Sequence, residues 1–219
     1  MKTLLFIGSL FLMLSFGLMK VNGQTKMTEG RIVYSYSMIG KPPPYAVDTS
    51  LCKEKVFRFN ANKQRLDCIS YNNDTTTEIY NDTTGEIIEL ANNNGQKTAT
   101  LYLYQPLALL KTQGRKTKFT NFADTVIIQG YKCYSAYRQV EGDGAIYFVD
   151  YTKEIIAPVI YYDCDLFSSL DGFPMGYSFE AMHMRIWITI KSISKEKIDE
   201  GIFDIPKDYQ IIFRKNMGK

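Results

Sequence analysis

Hydrophobic and polar side chains alternate along most of the chain, and the alternation is cleanest over residues 182–191. A period of two places every second side chain on one face of a β-strand, whereas a helix would scatter them around its axis. We therefore predict a long antiparallel strand with one covered face and one wetter face. The apolar residues of the covered face are Met182, Met184, Ile186, Ile188 and Ile190.

Shorter segments of the same kind occur through the rest of the chain, and few segments indicate a helix. Residues 31–38 and 98–104 alternate, and two β-rich segments flank the Gly-containing residues 141–144, which predicts a hairpin. The sixteen tyrosines and thirteen phenylalanines suit a pleated surface. Only residues 105–113 and 192–200 suggest short helices. We predict a mainly β fold: a single curved antiparallel sheet with one or two short helices against its concave face.

Residues 1–23 differ from the rest of the chain. A short positive start precedes an almost entirely apolar segment, residues 4–19, and Gly23 ends the pattern. This arrangement is typical of a secretory signal peptide, with an uncleaved anchor as the alternative. We expect residues 24–219 to form one exported domain, periplasmic or secreted. No cysteine precedes Cys52, so we expect no lipoprotein, and no later apolar segment is long enough for a transmembrane helix.

The expected exported domain is close to neutral. The whole chain carries 26 basic and 23 acidic residues, and removal of Lys2 and Lys20 with the signal leaves 24 against 23. Such a balance gives no electrostatic reason to expect nucleic acid as a partner. A domain of this size also buries enough surface to fold without a metal ion, and we expect no cofactor.

The number of cysteines bears on the covalent structure. An even number in an exported protein favours disulfides, here two, and the sequence leaves three pairings open. Buried free thiols are the alternative. No two cysteines have the close spacing of a metal or redox motif. The four residues are Cys52, Cys68, Cys133 and Cys164.

No residue pattern indicates an enzyme. His183 is the only histidine, and no Gly-x-Ser-x-Gly motif occurs. Met182, His183 and Met184 offer copper-binding atoms, but the alternation places the imidazole on the opposite face from both thioethers. The acidic residues beside Cys164 and within residues 141–144 are too few for a calcium loop. We therefore expect a non-enzymatic protein without a metal site.

Four short motifs in the C-terminal half occur in the order seen in a known group of proteins. Residues 128–136 resemble its I-x-G-Y-K-C-x-K-A strand, and residues 148–155 stand in the place of its W-Y-T-x-x-I-P strand, without the tryptophan. Residues 170–175 are similar to its G-L-P-G element, and residues 203–209 to its terminal F-x-I-P-x-x-Y. Over residues 126–213 the chain thus resembles exported Bacteroidetes proteins of the GLPGLI group and their relatives.

The resemblance implies a half-barrel fold like that of the periplasmic lipoprotein carrier LolA, although the group itself has no established activity. We expect non-enzymatic binding of a lipid, an acylated protein or another hydrophobic ligand in the cleft of this half-barrel. Phe173 and Met175 are expected at the rim of the cleft. Apolar strand faces supply its candidate walls: Tyr34, Tyr36, Phe57, Phe59, Met182, Met184 and Ile186.

Gly172, Phe173 and Pro174 form a motif that indicates a rigid corner. Glycine permits a close approach of the backbone, and proline fixes its own φ angle. The corner either turns the chain into the next strand or gates the mouth of the cleft. The rival function is a cell-envelope protein-interaction module with a sealed core, whose aromatic surface around Trp187 contacts the partner protein.

Overall fold

The computed structural model describes residues 24–39, 52–93, 95–103, 118–139, 146–160, 164–167, 169–181 and 184–213. Several sequence predictions fall outside these ranges and receive no structural account. They are the signal peptide, the helix at residues 105–113, the loop at residues 141–144, and the pair Met182 and His183.

The described part of the chain is mainly β. Its strands are β1 (Thr25–Lys26), β2 (Gly30–Ile39), β3 (Cys52–Phe59), β4 (Lys63–Ser70), β5 (Thr75–Asn81), β6 (Glu86–Asn93), β7 (Gln96–Leu103), β8 (Thr120–Ile128), β9 (Tyr131–Gln139), β10 (Ile146–Thr152), β11 (Ile155–Ile156), β12 (Phe173–Ala181), β13 (Met184–Ser194) and β14 (Gln210–Phe213).

Twelve of these strands form one sheet, in the order β14-β7-β6-β5-β4-β3-β2-β13-β12-β10-β9-β8. Neighbouring strands are antiparallel except β14, which runs parallel to β7. The strands β1 and β11 form a separate parallel pair. The expectation of a single, wholly antiparallel sheet is therefore wrong at these two pairs. Within the described residues β14 and β8 do not pair with each other, so the sheet is open.

Helical structure in the described ranges is limited to two short turns. Cys164–Phe167 form one α-helical turn, and Glu200–Phe203 form a 3-10 helix whose start is capped by Asp199. The helix expected over residues 192–200 is wrong for most of its length. β13 continues to Ser194, where pairing with β2 satisfies the backbone groups that a helix would have used, and residues 195–199 form no regular element. No described helix is long and apolar enough to cross a membrane.

The register of the strands divides the sheet into two faces. Val149, Tyr177, Ile188 and Tyr36 are successive partners across β10, β12, β13 and β2, and all four pack in the first core cluster. We call the face that carries them the inner face, and the opposite side the outer face. Buried side chains from β2, β3, β4, β9, β10, β12 and β13 contribute to this cluster.

The described residues between β11 and β12 are 157–160, 164–167 and 169–172, and we call them the strap. Near the start of the strap Val159 packs against the cluster of Tyr80 and Ile87 on β5 and β6. Phe167 meets Tyr177 of β12 edge to face, with ring centroids 5.0 Å apart. The strap therefore places apolar side chains on the inner face.

A directional bond also joins the strap to the sheet. Arg138 of β9 donates a hydrogen bond of 2.7 Å to the Leu166 carbonyl oxygen. The curvature expected of the sheet stays a prediction.

The C-terminal segment covers the outer face at the other end of the sheet. Ile198 and Phe203 pack with Ile79, Leu90 and Ala99 of β5, β6 and β7 in a second core cluster. Parallel strands require a crossover connection, and this segment provides it between β13 and β14. The crossing over the outer face thus explains why β14 runs parallel to β7.

One of the two expected disulfides is present in the described residues, between Cys52 of β3 and Cys68 of β4. Cys133 is a free thiol, fully buried in the first core cluster, and its Sγ lies 3.5 Å from the Tyr131 carbonyl oxygen. The expectation of a second disulfide through Cys133 is therefore wrong, because core packing encloses this thiol. The side chain of Cys164 is outside the described part.

Candidate ligand-binding site

Seven of the candidate cleft residues come together on the inner face. Three of them, Phe57, Phe59 and Met175, have no exposed surface, so Met175 lies inside the core and not at a rim. Tyr36 is partly buried against the same cluster. The side chains of Met182 and Met184 are not among those described. That these residues bind a ligand stays a prediction. The remaining three of the seven inner-face candidates are also buried, and they are Tyr34, Phe173 and Ile186.

The corner at Gly172, Phe173 and Pro174 turns the strap into β12. A Cβ atom placed on Gly172 would lie 2.6 Å from the Thr152 carbonyl oxygen, so only glycine fits against the β10 backbone there. Phe173 is opposite Thr152, and the pairing shifts register between Asp150 and Tyr151. The residue that follows, Pro174, continues the strand. The geometry agrees with the structural interpretation of this motif as a turn into the next strand.

Two open clefts flank Asp171 at the end of the strap. The smaller one has a volume of about 250 Å³, and the larger one about 410 Å³. Each cleft reaches the first core cluster, because Phe173 lines the smaller one and Tyr151 lines the larger one. The larger cleft also contains Asn121, whose Oδ1 accepts a hydrogen bond of 3.2 Å from the Tyr151 hydroxyl. These clefts are two places where a ligand can approach the inner face.

An exposed ion pair between Lys153 and Asp171 borders the smaller cleft. The hydrogen bond to Asp171 raises the pKa of Lys153 above its usual value, so the ammonium group stays charged at neutral pH. Such an exposed pair contributes little to stability, since water competes for both groups. It gives the mouth of the cleft a polar border. No periodic pattern of residues marks Asp171, Tyr151 or Asn121 as site residues in the sequence.

The described residues include no cluster of three or more histidine, cysteine, aspartate or glutamate side chains suited to a metal ion. Cys133 is a nucleophilic group in the core, and burial raises the pKa of its thiol to about 11. A protonated, enclosed thiol is inert as a nucleophile at neutral pH. The apolar inner face and its clefts are thus suited to binding by burial.

The outer face carries a second feature, a line of aromatic side chains across neighbouring strands. We call this line the aromatic row, and it consists of Trp187 of β13, Phe148 of β10, Tyr137 of β9 and Phe122 of β8. Strand pairing places Trp187 opposite Ser178 of β12, Ser178 opposite Phe148, and Phe148 opposite Tyr137. The sequence pointed to Trp187 alone, because the other members align only once the strands are paired.

No family model matches the chain, and no curated protein matches it. Solved structures similar to it include PNGF-II, with 17% sequence identity and a TM-score of 0.48 over 85% of this chain. The chain spans only 31% of the PNGF-II chain. Lipoprotein LppX of Mycobacterium tuberculosis has 11% identity and a TM-score of 0.42, with 79% of this chain and 89% of LppX covered. LprF from Mycobacterium bovis has 8% identity and a TM-score of 0.39, with 84% and 90% covered.

The TM-scores of these similarities all lie below 0.5, so the expected LolA-like half-barrel stays a prediction. With TM-scores below 0.5 these similarities say nothing about what the chain binds. Membership of the GLPGLI group stays a prediction.

Proposed function

We propose that this protein is a non-enzymatic binder of a lipid, an acylated protein or another apolar ligand, held between the inner face and the strap. The main observation behind the proposal is that the strap places apolar side chains on the inner face of the sheet. The open sheet carries an apolar cluster on its inner face, and the strap, with a single described helical turn, packs on it. Clefts reach core residues on both sides of Asp171, where the strap ends.

Some of the contacts between the strap and the sheet are apolar, and an acyl chain can replace contacts of this kind. Phe167 meets the Tyr177 ring edge to face, and Val159 packs against the cluster of Tyr80 and Ile87. Each methylene group that a ligand buries contributes about 0.8 kcal/mol, so a long chain offsets the loss of several such contacts. The inner face is packed in this structure, and the ligand therefore displaces part of the strap as it binds.

We also propose that the protein acts outside the cytoplasm as one exported domain, residues 24–219, with a lipid or lipoprotein as its partner. The pattern of residues 1–23 supports this location. An acylated partner protein would leave its polypeptide in solvent, and only its acyl chain would enter at the clefts.

The proposal is tested by native mass spectrometry of the protein purified without detergent, followed by titration with a fluorescent fatty acid. We expect either co-purified lipid or saturable uptake near one equivalent. A bare mass together with no uptake of added fatty acid or phospholipid would overturn the proposal.

A substitution at the mouth of the larger cleft sharpens the test. Leu170 lines this cleft and packs against the first core cluster, so Leu170→Arg puts a charge on the entry path. We expect at least tenfold weaker uptake. Ile127→Arg is the matched control, because Ile127 is 70% exposed on β8. Equal uptake by both variants would place the ligand elsewhere. Urea denaturation of both variants shows whether the fold is retained.

The rival function, an envelope protein-interaction module with a sealed core, has its own supporting observation. Phe57, Phe59 and Met175 have no exposed surface, which suits a permanently closed core. It predicts the bare mass and the absence of uptake described above.

A further inference from the structure

The aromatic row on the outer face is a candidate for a second binding surface, separate from the inner face. Trp187, Ser178, Phe148 and Tyr137 are consecutive partners across β13, β12, β10 and β9. Phe122 of the edge strand β8 continues the line. From β13 to β8 there are four interstrand spacings, so the row is about 19 Å long and one side chain wide.

Three rings of the row are in contact with one another. The Phe122 ring lies 5.4 Å from the Tyr137 ring and 6.5 Å from the Phe148 ring, and the planes of the two phenylalanines differ by only 12°. Phe122 itself is 44% exposed, and the other three aromatic side chains are partly exposed. Between Trp187 and Phe148, the small side chain of Ser178 is buried.

A bulge in β8 determines the position of Phe122 at one end of the aromatic row. The pairing of β8 with β9 shifts register between Asn121 and Thr125, so the residues between them leave the regular ladder. This shift lets Phe122 lie over Tyr137 and Phe148 instead of simply continuing the edge. Bulges in edge strands commonly redirect a side chain in this way. The row is thus a feature that the local backbone supports.

The size and charge of the row decide what fits it. A stable protein dimer needs about 800 Å² from each partner, far more than a strip one side chain wide offers, so a second copy does not fit. A single-stranded nucleic acid needs several cations along its backbone. Among the described residues only Arg185 lies on a ring of the row, with its guanidinium carbon 5.5 Å from the Phe148 centroid. The row runs across the strands, so a peptide that paired with the free edge of β8 would contact only the end of the row at Phe122.

We propose that the aromatic row binds a neutral oligosaccharide chain. One face of a pyranose ring carries C–H groups, which pack on the flat face of an aromatic ring, and the hydroxyl groups at its edge remain available to polar neighbours. Successive sugar units of an extended chain are spaced comparably to β-strands, which lie about 4.8 Å apart. A chain of about four units therefore matches the row from Trp187 to Phe122. Exposed Gln139 and Arg185 border the row and supply donors for the hydroxyl groups.

Trp187 is the only tryptophan of the chain, so its fluorescence reports occupancy of the row directly. The full exported protein is titrated separately with neutral hexasaccharides of β-1,4-glucose, β-1,4-mannose and α-1,4-glucose, with isothermal calorimetry in parallel. We expect a saturable fluorescence change with at least one of the three. No heat and no fluorescence change with any of them, up to millimolar concentration, would overturn the proposal, and so would binding only of a sulfated chain.

Two substitutions in the row and one outside it complete the test. We expect Phe148→Ala and Phe122→Ala each to weaken saccharide binding at least tenfold. Phe213→Ala is the matched control, because Phe213 is 78% exposed on β14, at the other end of the sheet. Equal weakening by the control would overturn the proposal. Fatty acid uptake by Phe148→Ala should equal that of the parent protein, so failure of the saccharide site and failure of the inner-face site are told apart.

Discussion

At the scale of single residues, Asp67 organises the polar part of the outer face. Its carboxylate is almost buried and accepts hydrogen bonds from Arg58, from Arg65 and from the Thr77 hydroxyl at 2.6 Å. Arg65 also donates a bond of 2.7 Å to the Ile202 carbonyl oxygen in the C-terminal segment. One carboxylate thus forms ion pairs with two guanidinium groups, and one of these groups also bonds to the segment that closes the second core cluster.

We expect Asp67→Asn to lower the free energy of unfolding by about 2 kcal/mol, because two partly buried arginines lose their counter-charge. The side chains of Arg58 and Arg65 are 29% and 23% exposed, so the loss of stability should be smaller than for a fully buried ion pair. Urea denaturation followed by circular dichroism measures the difference. Asp74→Asn, at an exposed position, is the control, and equal stability of the two variants would contradict this account.

The free thiol of Cys133 gives a second prediction at this scale. Burial raises its pKa from 9.0 to about 11, and the nearby carboxylates of Asp150 and Glu154 act in the same direction. The pKa of the Cys133 thiol is higher in the folded protein than in the unfolded chain. The thiol therefore contributes its full stabilisation below pH 9, and this stabilisation is lost as the pH rises toward 11. In a Cys164→Ser variant we expect Cys133 to resist maleimide at neutral pH while folded and to react once unfolded. Fast labelling of the folded protein would show that the thiol is accessible.

At the scale of elements, β13 is the strand that the sequence predicted best. Ile186, Ile188 and Ile190 are buried on the inner face, whereas Trp187 lies on the outer face, as period two requires. The bulge after Ile190 was not predictable, because it depends on pairing with β2, far away in the chain. The parallel position of β14 and the pairing of Cys52 with Cys68 escaped prediction for the same reason.

The start of β12 yields a prediction about backbone packing. Besides the Thr152 carbonyl oxygen, the Tyr151 ring lies 2.6 Å from a Cβ placed on Gly172. A backbone oxygen cannot rotate away as a flexible side chain does, so we expect Gly172→Ala to destabilise the fold by about 1–3 kcal/mol in thermal denaturation. Gly201→Ala is the control, since its Cβ would meet Asp199 at an ordinary 3.5 Å. A Gly172→Ala protein as stable as the control would mean that the β10–β12 contact adapts freely.

At the scale of the whole molecule, the sequence indicated which side chains point inward but not what covers them. Tyr34, Phe57 and Ile186 lie on the inner face, as the alternation predicts. The strap has no apolar period, and its position depends on distant contacts such as that of Arg138 with Leu166. The aromatic row has the same character, because its members come from four strands and meet only through register. Sites of this kind are not visible in a sequence until the strand order is known.

The two core clusters also indicate which part of the molecule unfolds first. They lie on opposite faces of the sheet and share no residue. Phe203 is 3% exposed in the second cluster, where it anchors the C-terminal segment between the 3-10 helix and β14. Segments held by few buried contacts open at lower free energy than the core, so this end of the sheet is the expected first place of opening.

We expect Phe203→Ala to lower the free energy of unfolding by about 3 kcal/mol and to release β14 from β7. Hydrogen exchange detected by mass spectrometry should show faster exchange at residues 210–213, while β12 and β13 keep their protection because the first cluster is untouched. Phe213→Ala removes the same atoms from an exposed position and should leave both regions unchanged. Faster exchange in β13 to the same extent as in β14 would show that the clusters unfold as one unit. If the two clusters open independently, the C-terminal segment can move while the inner face stays closed. A ligand would then reach the inner face by displacing the strap.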